Sequence, residues 1–305
     1  FTEWTNVKRS YPLFKGHIQP EIPHKSIGYY NLLDTNIMHK QAELATNYGI
    51  YGFCFHYYWF SGKRLMEKPV DNFLNDPSIN IHFCLNWANE NWTRRWDGQE
   101  KDVLIAQNYT PEDDIEIMKD ILKYFKDPRY IRVDGRPMLL VYRADLLPNM
   151  SETIKRWHKV CRENGEAVPY MVMCQSFANF DPTQYGFDAA VQFPPHAPWT
   201  INNPQSAYQQ TNVKNIVQNF SGNIFSYSTL IKSCISGLSN NFINYPCIVP
   251  SWDNTPRRLN KSNLFVGSTP SLYKKWLNQL CLYIKEHNSK NNRFIFINAW
   301  NEWGE

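Results

Sequence analysis

The chain alternates short apolar runs with longer segments of helical periodicity. The last run, residues 294–297, is apolar throughout and too short for a free-standing helix, which is typical of a strand buried on both faces. Between the runs, apolar residues recur three and four positions apart, as in the helices predicted to begin near Thr110 and near Thr269. The predicted strands are residues 51–59, 81–87, 137–142, 170–175, 188–193, 247–250 and 294–297.

This alternation predicts a parallel sheet with right-handed helical crossovers. We predict an α/β fold of the (β/α)8 TIM-barrel type that lacks the first strand and the last helix, because a barrel needs one more strand and the chain stops just after the last. On this interpretation residues 1–305 are a single catalytic barrel taken from a longer chain. A doubly wound open sheet is the alternative, but it would need a glycine-rich phosphate turn, and no Gly-x-Gly occurs.

Three segments break the alternation. The part before Thr35 is interrupted by Pro12, Pro20 and Pro23 and is expected to be irregular. The connection of residues 181–186 is too short for a full crossover helix. Residues 194–227 are rich in Pro, Asn, Gln and Ser, which predicts either a functional lid or an insertion.

Composition narrows the class of protein. An aromatic content of 15% and a charged content of 20% suit a globular protein. The net charge of +4 comes without a long Lys/Arg run, so we expect no nucleic-acid partner. The histidines lack metal-ligand spacing, and no apolar run is long enough to span a bilayer, so neither a metal, another cofactor nor a membrane span is expected in this segment.

The cysteines bear on the compartment. They are seven in number, an odd count, and form no Cys-x-x-Cys pair, and several lie inside apolar runs where a free thiol behaves as a small hydrophobe. This favours a reducing compartment, so we expect a cytoplasmic location. The chain opens without an initiator Met, which leaves a signal peptide open.

Aromatic and polar residues collect where the predicted strands end. In a barrel these C-terminal ends share one rim, where the chemistry of such folds takes place. Tryptophan faces stack on pyranose rings while amides and acids hydrogen-bond hydroxyls, so the pattern predicts a sugar-sized pocket. The predicted substrate-binding residues are Tyr58, Trp59, Trp87, Asn89, Glu90, Trp92, Arg94, Trp252, Asp253, Asn301 and Trp303.

Glu302 and Glu305 are the candidate catalytic residues, since paired carboxyls can transfer protons at a glycosidic bond. An isolated Glu-x-x-Glu is more often a solvated turn, and only the company of the other strand ends favours function.

Other charged residues keep two interpretations. Glu90 is expected either to bind sugar or donate a proton, or to cap structure and pair with Arg94. Arg94 suits a phosphate or uronate as well as a structural pair with a nearby acid. His56 and His196 are expected to be ordinary packed imidazoles.

The segments that carry these candidate residues at the strand ends resemble the WbsX family, and the resemblance spans Phe1 to Glu305. Members of this family are met in bacterial O-antigen and capsule clusters, are usually labelled glycosyltransferases, and are related to glycoside hydrolase family 99, whose members are (β/α)8 endo-α-mannosidases. The resemblance implies a carbohydrate-active enzyme of bacterial surface polysaccharide metabolism. Its longest motifs are Asn86-Trp-Ala-Asn-Glu-Asn-Trp-Thr-Arg-Arg-Trp-Asp97, Trp252-Asp-Asn-Thr-Pro-Arg-Arg258 and Asn298-Ala-Trp-Asn-Glu-Trp-Gly-Glu305.

Roles for the two acids follow from this resemblance. The segment from Glu302 to Glu305 matches the Glu-Trp-x-Glu motif of family 99 in both acids and in Trp303. By that resemblance Glu302 is a base acting on the 2-hydroxyl of the sugar, whose oxygen attacks the anomeric carbon through an epoxide-like intermediate, and Glu305 is the general acid that protonates the leaving oxygen. Gly304 departs from the hydrolases, which often carry a larger polar residue there, so contacts around the acid are expected to differ.

Three functions remain compatible with the sequence. The first is a retaining glycosidase or transglycosylase acting within a mannose-like glycan, and the second is a glycosyltransferase that adds an activated sugar during O-antigen biosynthesis. The third is a barrel that binds glycans without turnover. Lack of an Asp-x-Asp motif and of a phosphate cradle speaks against the second, and the acid pair speaks against the third. The expected partner is an oligosaccharide or polysaccharide, free or lipid-linked.

Overall fold

The computed structural model describes residues 2–94, 99–177, 180–196, 213–238 and 241–305. It has a mixed α/β architecture around a mostly parallel central sheet, and all seven predicted strands are present. The strands are β1 (Gly52–Phe60), β2 (Lys63–Leu65), β3 (His82–Trp87), β4 (Trp92–Arg94), β5 (Gln99–Ile105), β6 (Arg132–Val133), β7 (Arg136–Val141), β8 (Tyr170–Gln175), β9 (Ala189–Gln192), β10 (Asn223–Ser226), β11 (Asn244–Tyr245), β12 (Cys247–Ile248), β13 (Asn263–Val266) and β14 (Phe296–Ile297).

Helices fill most of the connections. Thr110 begins a helix as predicted, because its hydroxyl accepts a hydrogen bond from the backbone N–H of Asp113 at 3.1 Å. None of the described helices combines the length and the apolar character that a bilayer crossing requires. The helices are α1 (Glu3–Arg9), α2 (Thr35–Asn47), α3 (Lys68–Asn75), α4 (Pro111–Phe125), α5 (Met150–Glu163), α6 (Tyr227–Ser236), α7 (Thr255–Arg258) and α8 (Pro270–His287).

The strands follow one another in the order of a barrel. Parallel pairing runs from β1 through β3, β7, β8 and β9 to β11. Pro246 alone separates β11 from β12, which pairs with β14. The C-terminal ends of these strands therefore lie along one edge, as the sequence predicts.

The two outer strands of this series do not close the sheet. Among the described residues, no backbone pairing joins β14 to β1. Side chains meet across the gap instead: the rings of Phe53 and Trp300 are 5.2 Å apart, and those of Tyr51 and Phe294 are 6.3 Å apart. Barrel closure is thus not seen within the described part of the chain.

The last strand differs from its prediction. It was expected to be buried on both faces, but Phe294 and Phe296 are only half-buried and Ile297 is 38% exposed. The reason is that, among the described residues, β14 pairs with β12 alone, on one side. An edge strand keeps part of its surface in water even when its sequence is apolar.

One further prediction is corrected, and two other segments contain strands that were not predicted. The segment before Thr35 is not wholly irregular, because it contains α1, and this helix packs against α7 beside the last residues of the chain. The polar stretch after β3 contains the antiparallel hairpin of β4 and β5. The second half of the predicted lid or insertion contains β10, which pairs with β13, while residues 197–212 lie outside the described residues.

Candidate active site

The two candidate acids converge on one arginine. Arg257, on α7, lies 2.5 Å from Glu305, measured between Nη1 and Oε1, and its Nη2 also contacts Glu302. Its third donor, Nε, contacts Oε1 of Glu3 on α1 at 2.7 Å. One guanidinium therefore binds three carboxyl groups that come from both ends of the sequence.

The surroundings push the two acids in opposite directions. Burial favours the neutral form of Glu302, but the charge and hydrogen bond of Arg257, together with the charges of His56 and His196, outweigh it and lower the pKa of this carboxyl. Burial raises the pKa of Glu305, and the charge of Glu302 adds to the rise, while Arg257 offsets only part of it. Both side chains keep access to water, with 38% of Glu302 and 22% of Glu305 exposed. Neighbouring carboxyl groups whose pKa values are pushed apart are the arrangement that base and acid catalysis needs.

A belt of aromatic rings leads away from the acids. Trp252 donates a side-chain hydrogen bond to Glu305 and meets the ring of His196 edge-on at 5.7 Å. From His196 the belt continues through ring contacts of 5.0 to 6.5 Å. Its further members are Phe177, Tyr142, Phe193, His56, Tyr58 and Trp92.

His56 lies close enough to Glu302 for their charges to interact. Burial lowers the pKa of His56, and the negative charge of Glu302 offsets part of the drop. Neighbouring groups desolvate the imidazole, but by its accessible surface His56 is exposed. It is therefore not the ordinary packed imidazole that the sequence suggests. His196 also interacts with Glu302 and belongs to the same belt.

Tyr58 and Trp92 belong to the belt, as expected of substrate-binding residues. Their rings meet edge-on at 5.1 Å, and both residues are half-buried. Arg94 follows on the same hairpin and lies 3.6 Å from Asp102, a loose and largely exposed pair.

Glu90 forms an ion pair with Arg143, which was not among its predicted partners. Its Oε1 lies 2.7 Å from Nη1 of Arg143, and the guanidinium of Arg143 also binds Asp145 at 2.8 Å. The same guanidinium stacks over Phe177 of the aromatic belt, with 4.5 Å to the ring centre. Glu90 therefore borders the belt through Arg143.

Asn89 is fully buried, and its side chain forms hydrogen bonds with the backbone of Arg143. Its amide donates to the carbonyl oxygen of Arg143 and its side-chain oxygen accepts from the N–H of Arg143, both at 2.7 Å. These bonds join the exits of β3 and β7. The predicted sugar contact is not available to a side chain that is used in this way.

Trp59 and Trp87 lie on the opposite face of the sheet from the belt, and we leave them out of the candidate site. Trp59 is 5% exposed and donates to Asp113 of α4 at 2.8 Å. Trp87 is 1% exposed and packs edge-on against Trp157 of α5 at 5.7 Å. Side chains alternate between faces along a strand, and these two fall on the side that packs against helices.

Asp253 is held by internal donors. Its Oδ2 accepts from Gln19 and contacts Nε2 of His17, each at 2.7 Å, and its Oδ1 accepts from the backbone N–H of Thr255 at 2.9 Å. Since Nδ1 of His17 accepts the N–H of Leu13 at 3.0 Å, Nε2 is the donor to Asp253. Asp253 thus fastens the N-terminal segment to the strand exit.

Trp303 and Asn301 flank Glu302 in the closing turn. The indole of Trp303 donates to the hydroxyl of Tyr30 at 2.9 Å and lies 5.8 Å from the ring of Trp4 on α1. Asn301 is exposed. The predicted site is therefore brought together in part: Glu302, Glu305, Trp252, Tyr58 and Trp92 share one region.

Sequence reasoning missed Arg257 and Glu3. Arg257 belongs to the Trp252-to-Arg258 motif, so its position after a strand end was a usable signal. Glu3 precedes every predicted element and lies far from the acids in sequence, so only the folded chain reveals its place.

Comparison with known proteins gives the family and the fold. The family described as Glycosyltransferase WbsX matches residues 1–305. Two proteins of Xanthomonas campestris pv. campestris, both called "Uncharacterized protein WxcX", are 41% identical over 305 residues, covering 100% of this chain and 43% of their own length. The chain thus spans less than half the length of these relatives.

Solved structures share the architecture. A "Glycoside hydrolase-like protein" superposes with a TM-score of 0.59 at 16% identity, covering 93% of this chain and 83% of its own. The GH99 endo-alpha-mannosidase from Bacteroides thetaiotaomicron superposes with a TM-score of 0.50 at 13% identity, covering 91% and 70%. At these identities the likeness concerns the fold. Because the family match extends over the whole sequence, this chain belongs to the WbsX family.

Proposed function

We propose that the chain is the catalytic part of an enzyme that acts on glycosidic bonds of a mannose-like glycan in bacterial surface polysaccharide metabolism. Family and fold indicate a carbohydrate-active enzyme. The observation that supports the finer proposal is the shared guanidinium of Arg257, beside which Glu302 has a lowered and Glu305 a raised pKa. Neighbouring carboxyl groups whose pKa values are shifted in opposite directions support Glu302 as the base and Glu305 as the acid.

The proposed reaction proceeds in two displacements with retention at the anomeric carbon. Glu302 takes the proton of the 2-hydroxyl, the 2-oxygen forms a bond to the anomeric carbon, and the bond to the leaving oxygen breaks as Glu305 protonates that oxygen. In the second step Glu305 takes a proton from water or an acceptor hydroxyl, whose oxygen attacks the anomeric carbon. The three-membered ring opens and its oxygen recovers the proton from Glu302.

Charge favours a glycan donor over a nucleotide sugar. Three carboxyl groups surround the single guanidinium of Arg257. A diphosphate brought to this cluster would meet carboxylate repulsion that one shared arginine cannot offset. We therefore rank hydrolysis or transglycosylation above transfer from a sugar nucleotide, and the pair of acids joined by Arg257 ranks catalysis above simple glycan binding.

The belt supplies the sugar-binding surface in this proposal. Trp92 and Tyr58 are half-buried aromatic rings of the kind that pack on pyranose rings, while Trp252 is 5% exposed and supports Glu305 through its hydrogen bond. We expect the substrate to be an oligosaccharide or polysaccharide, free or lipid-linked, and we expect cytoplasmic action from the buried thiols of Cys84, Cys174 and Cys247.

The test offers the full-length protein two kinds of donor. One reaction contains α-linked mannose oligosaccharides, and the other contains GDP-mannose with an oligosaccharide acceptor. We expect shortened or rearranged oligosaccharides in the first reaction, with retained anomeric configuration by NMR. Nucleotide release coupled to elongation in the second would overturn the proposal.

A further inference from the structure

Gly304, between the two acids, leaves space that another residue fills. A Cβ at this position would overlap the carboxyl group of Glu3 and would lie 2.9 Å from Nε of Arg257. Residue 304 is itself buried. The carboxyl of Glu3 therefore occupies the volume into which a side chain at position 304 would extend, directly beside Glu302 and Glu305.

Glu3 reaches this place because α1 is anchored there. The indole of Trp4 donates to the backbone oxygen of Tyr30 at 2.8 Å and packs near Trp303. Arg257 is only 15% exposed, and its Nε bond to Glu3 leaves its two terminal nitrogens for the two acids. A planar guanidinium fixed at Nε can present each terminal nitrogen to a separate carboxyl.

We propose that Glu3 is a positioning residue of the acid pair: it holds Nε of Arg257 and limits how far this guanidinium neutralises Glu302 and Glu305. The proposal rests on the proposed function, because that function gives Glu302 and Glu305 their catalytic roles. Three carboxyl groups compete for one positive charge, so the cluster retains a proton that Arg257 would otherwise displace. The proton is available for transfer from Glu305 to a leaving oxygen.

The charged groups around the cluster are consistent with this division. Arg257 and Glu302 face Glu305, and Trp252 donates a hydrogen bond to it. His56 and His196 face Glu302. Burial raises the pKa of Glu3, and the charges of Glu302 and Glu305 raise it further, while Arg257 opposes the rise. The interaction is mutual, since each carboxylate destabilises the charge of the others.

The Glu3→Gln variant distinguishes a positioning role of Glu3 in the acid pair from a purely structural role. The amide oxygen of Gln can still accept from Nε of Arg257, so the geometry is kept while one negative charge is removed. We expect the alkaline limb of kcat/KM against pH, measured on α-linked mannose oligosaccharides with the full-length protein, to move to lower pH because Arg257 then stabilises the carboxylate of Glu305 more fully. Glu286→Gln, an exposed charge change on α8, is the matched control and should leave the limb in place.

A second experiment needs no turnover. Urea unfolding of the full-length protein is compared for Gly304→Ala, Glu3→Ala and the double variant. The methyl group that Gly304→Ala adds must displace the Glu3 carboxyl from Arg257, so this substitution should cost less stability in the Glu3→Ala background than in wild type. If the wild-type protein turns over no glycan, the proposed function is wrong. The stability coupling between residues 3 and 304 still tests whether the Glu3 carboxyl occupies the space beside Gly304. An unmoved limb in Glu3→Gln, an equal shift in Glu286→Gln, or additive costs in the cycle would overturn the assignment of Glu3.

Discussion

Glu305 lies 2.5 Å from Arg257, and the same guanidinium contacts Glu302 three residues earlier. The two acids are therefore joined electrostatically through one positive charge, and the protonation of each depends on the other. The pKa of Glu302 is lowered because Arg257, His56 and His196 together outweigh burial, and the pKa of Glu305 is raised because burial and the charge of Glu302 outweigh the effect of Arg257.

A bell-shaped pH profile follows from this relationship. The base must be ionised and the acid protonated, so kcat/KM should fall on the acidic side with a pKa below the ordinary 4.5 and on the alkaline side with one above it. Initial rates on α-linked mannose oligosaccharides across a pH series measure both limbs. A profile with a single limb, or with both limbs below the ordinary glutamate value, would contradict the assignment of Glu305 as acid.

Trp92 and Trp59 should respond differently to substitution. Trp92→Ala removes part of the aromatic belt, so KM should rise roughly three- to tenfold with little change in stability. Trp59→Phe leaves Asp113 without its indole donor, so the free energy of unfolding should fall by about 1–3 kcal/mol while KM stays near wild type. Glycan kinetics and urea unfolding of the two variants provide the comparison. A reversed pattern would show that the sugar binds on the face of Trp59, opposite to the aromatic belt.

Asp253 should act on stability and leave sugar binding unchanged. Asp253→Asn weakens charge-assisted bonds to His17, Gln19 and Thr255 and should lower the free energy of unfolding by about 2–3 kcal/mol near neutral pH. Burial raises the pKa of Asp253, but its hydrogen bonds outweigh burial and bring it below 3.8. The stabilisation is therefore present above the ordinary pKa and lost as pH falls through the folded-state value.

Urea unfolding at neutral and acidic pH checks this prediction, with Glu286→Gln as the surface control. The difference between Asp253→Asn and wild type should shrink at acidic pH. A normal unfolding free energy together with a large rise in KM would instead return Asp253 to the substrate-binding surface that the sequence predicts.

The order of strands could be predicted because apolar runs and helical spacing are local signals. The strands β1, β3, β7, β8 and β9 could be recognised because each is a run of mainly apolar residues, which by itself indicates a strand that packs in the interior. The face on which a side chain falls was harder: Trp59 and Tyr58 are neighbours in an aromatic run, and only the pairing and helix packing show that Trp59 lies against α4.

The sequence pointed to the two candidate acids but not to the residues that hold them together. The segment from Glu302 to Glu305 is short and was recognisable as a unit, whereas Arg257 and Glu3 reach it from segments far away in sequence. Asp253 illustrates the opposite error. A polar residue at a strand exit suggests a ligand contact, but its donors come from the segment of His17 and Gln19, which has no periodic signal of its own.

The most direct test compares Glu302→Gln and Glu305→Gln in the full-length protein with wild type and Glu286→Gln. Turnover of α-linked mannose oligosaccharides is followed by chromatography, and binding of the same oligosaccharides by calorimetry. Each active-site variant should lose turnover by roughly 100-fold or more while binding persists, because Gln keeps the shape of the side chain and removes its proton transfer. Unchanged turnover in either variant would contradict the acid–base pair on which the account rests.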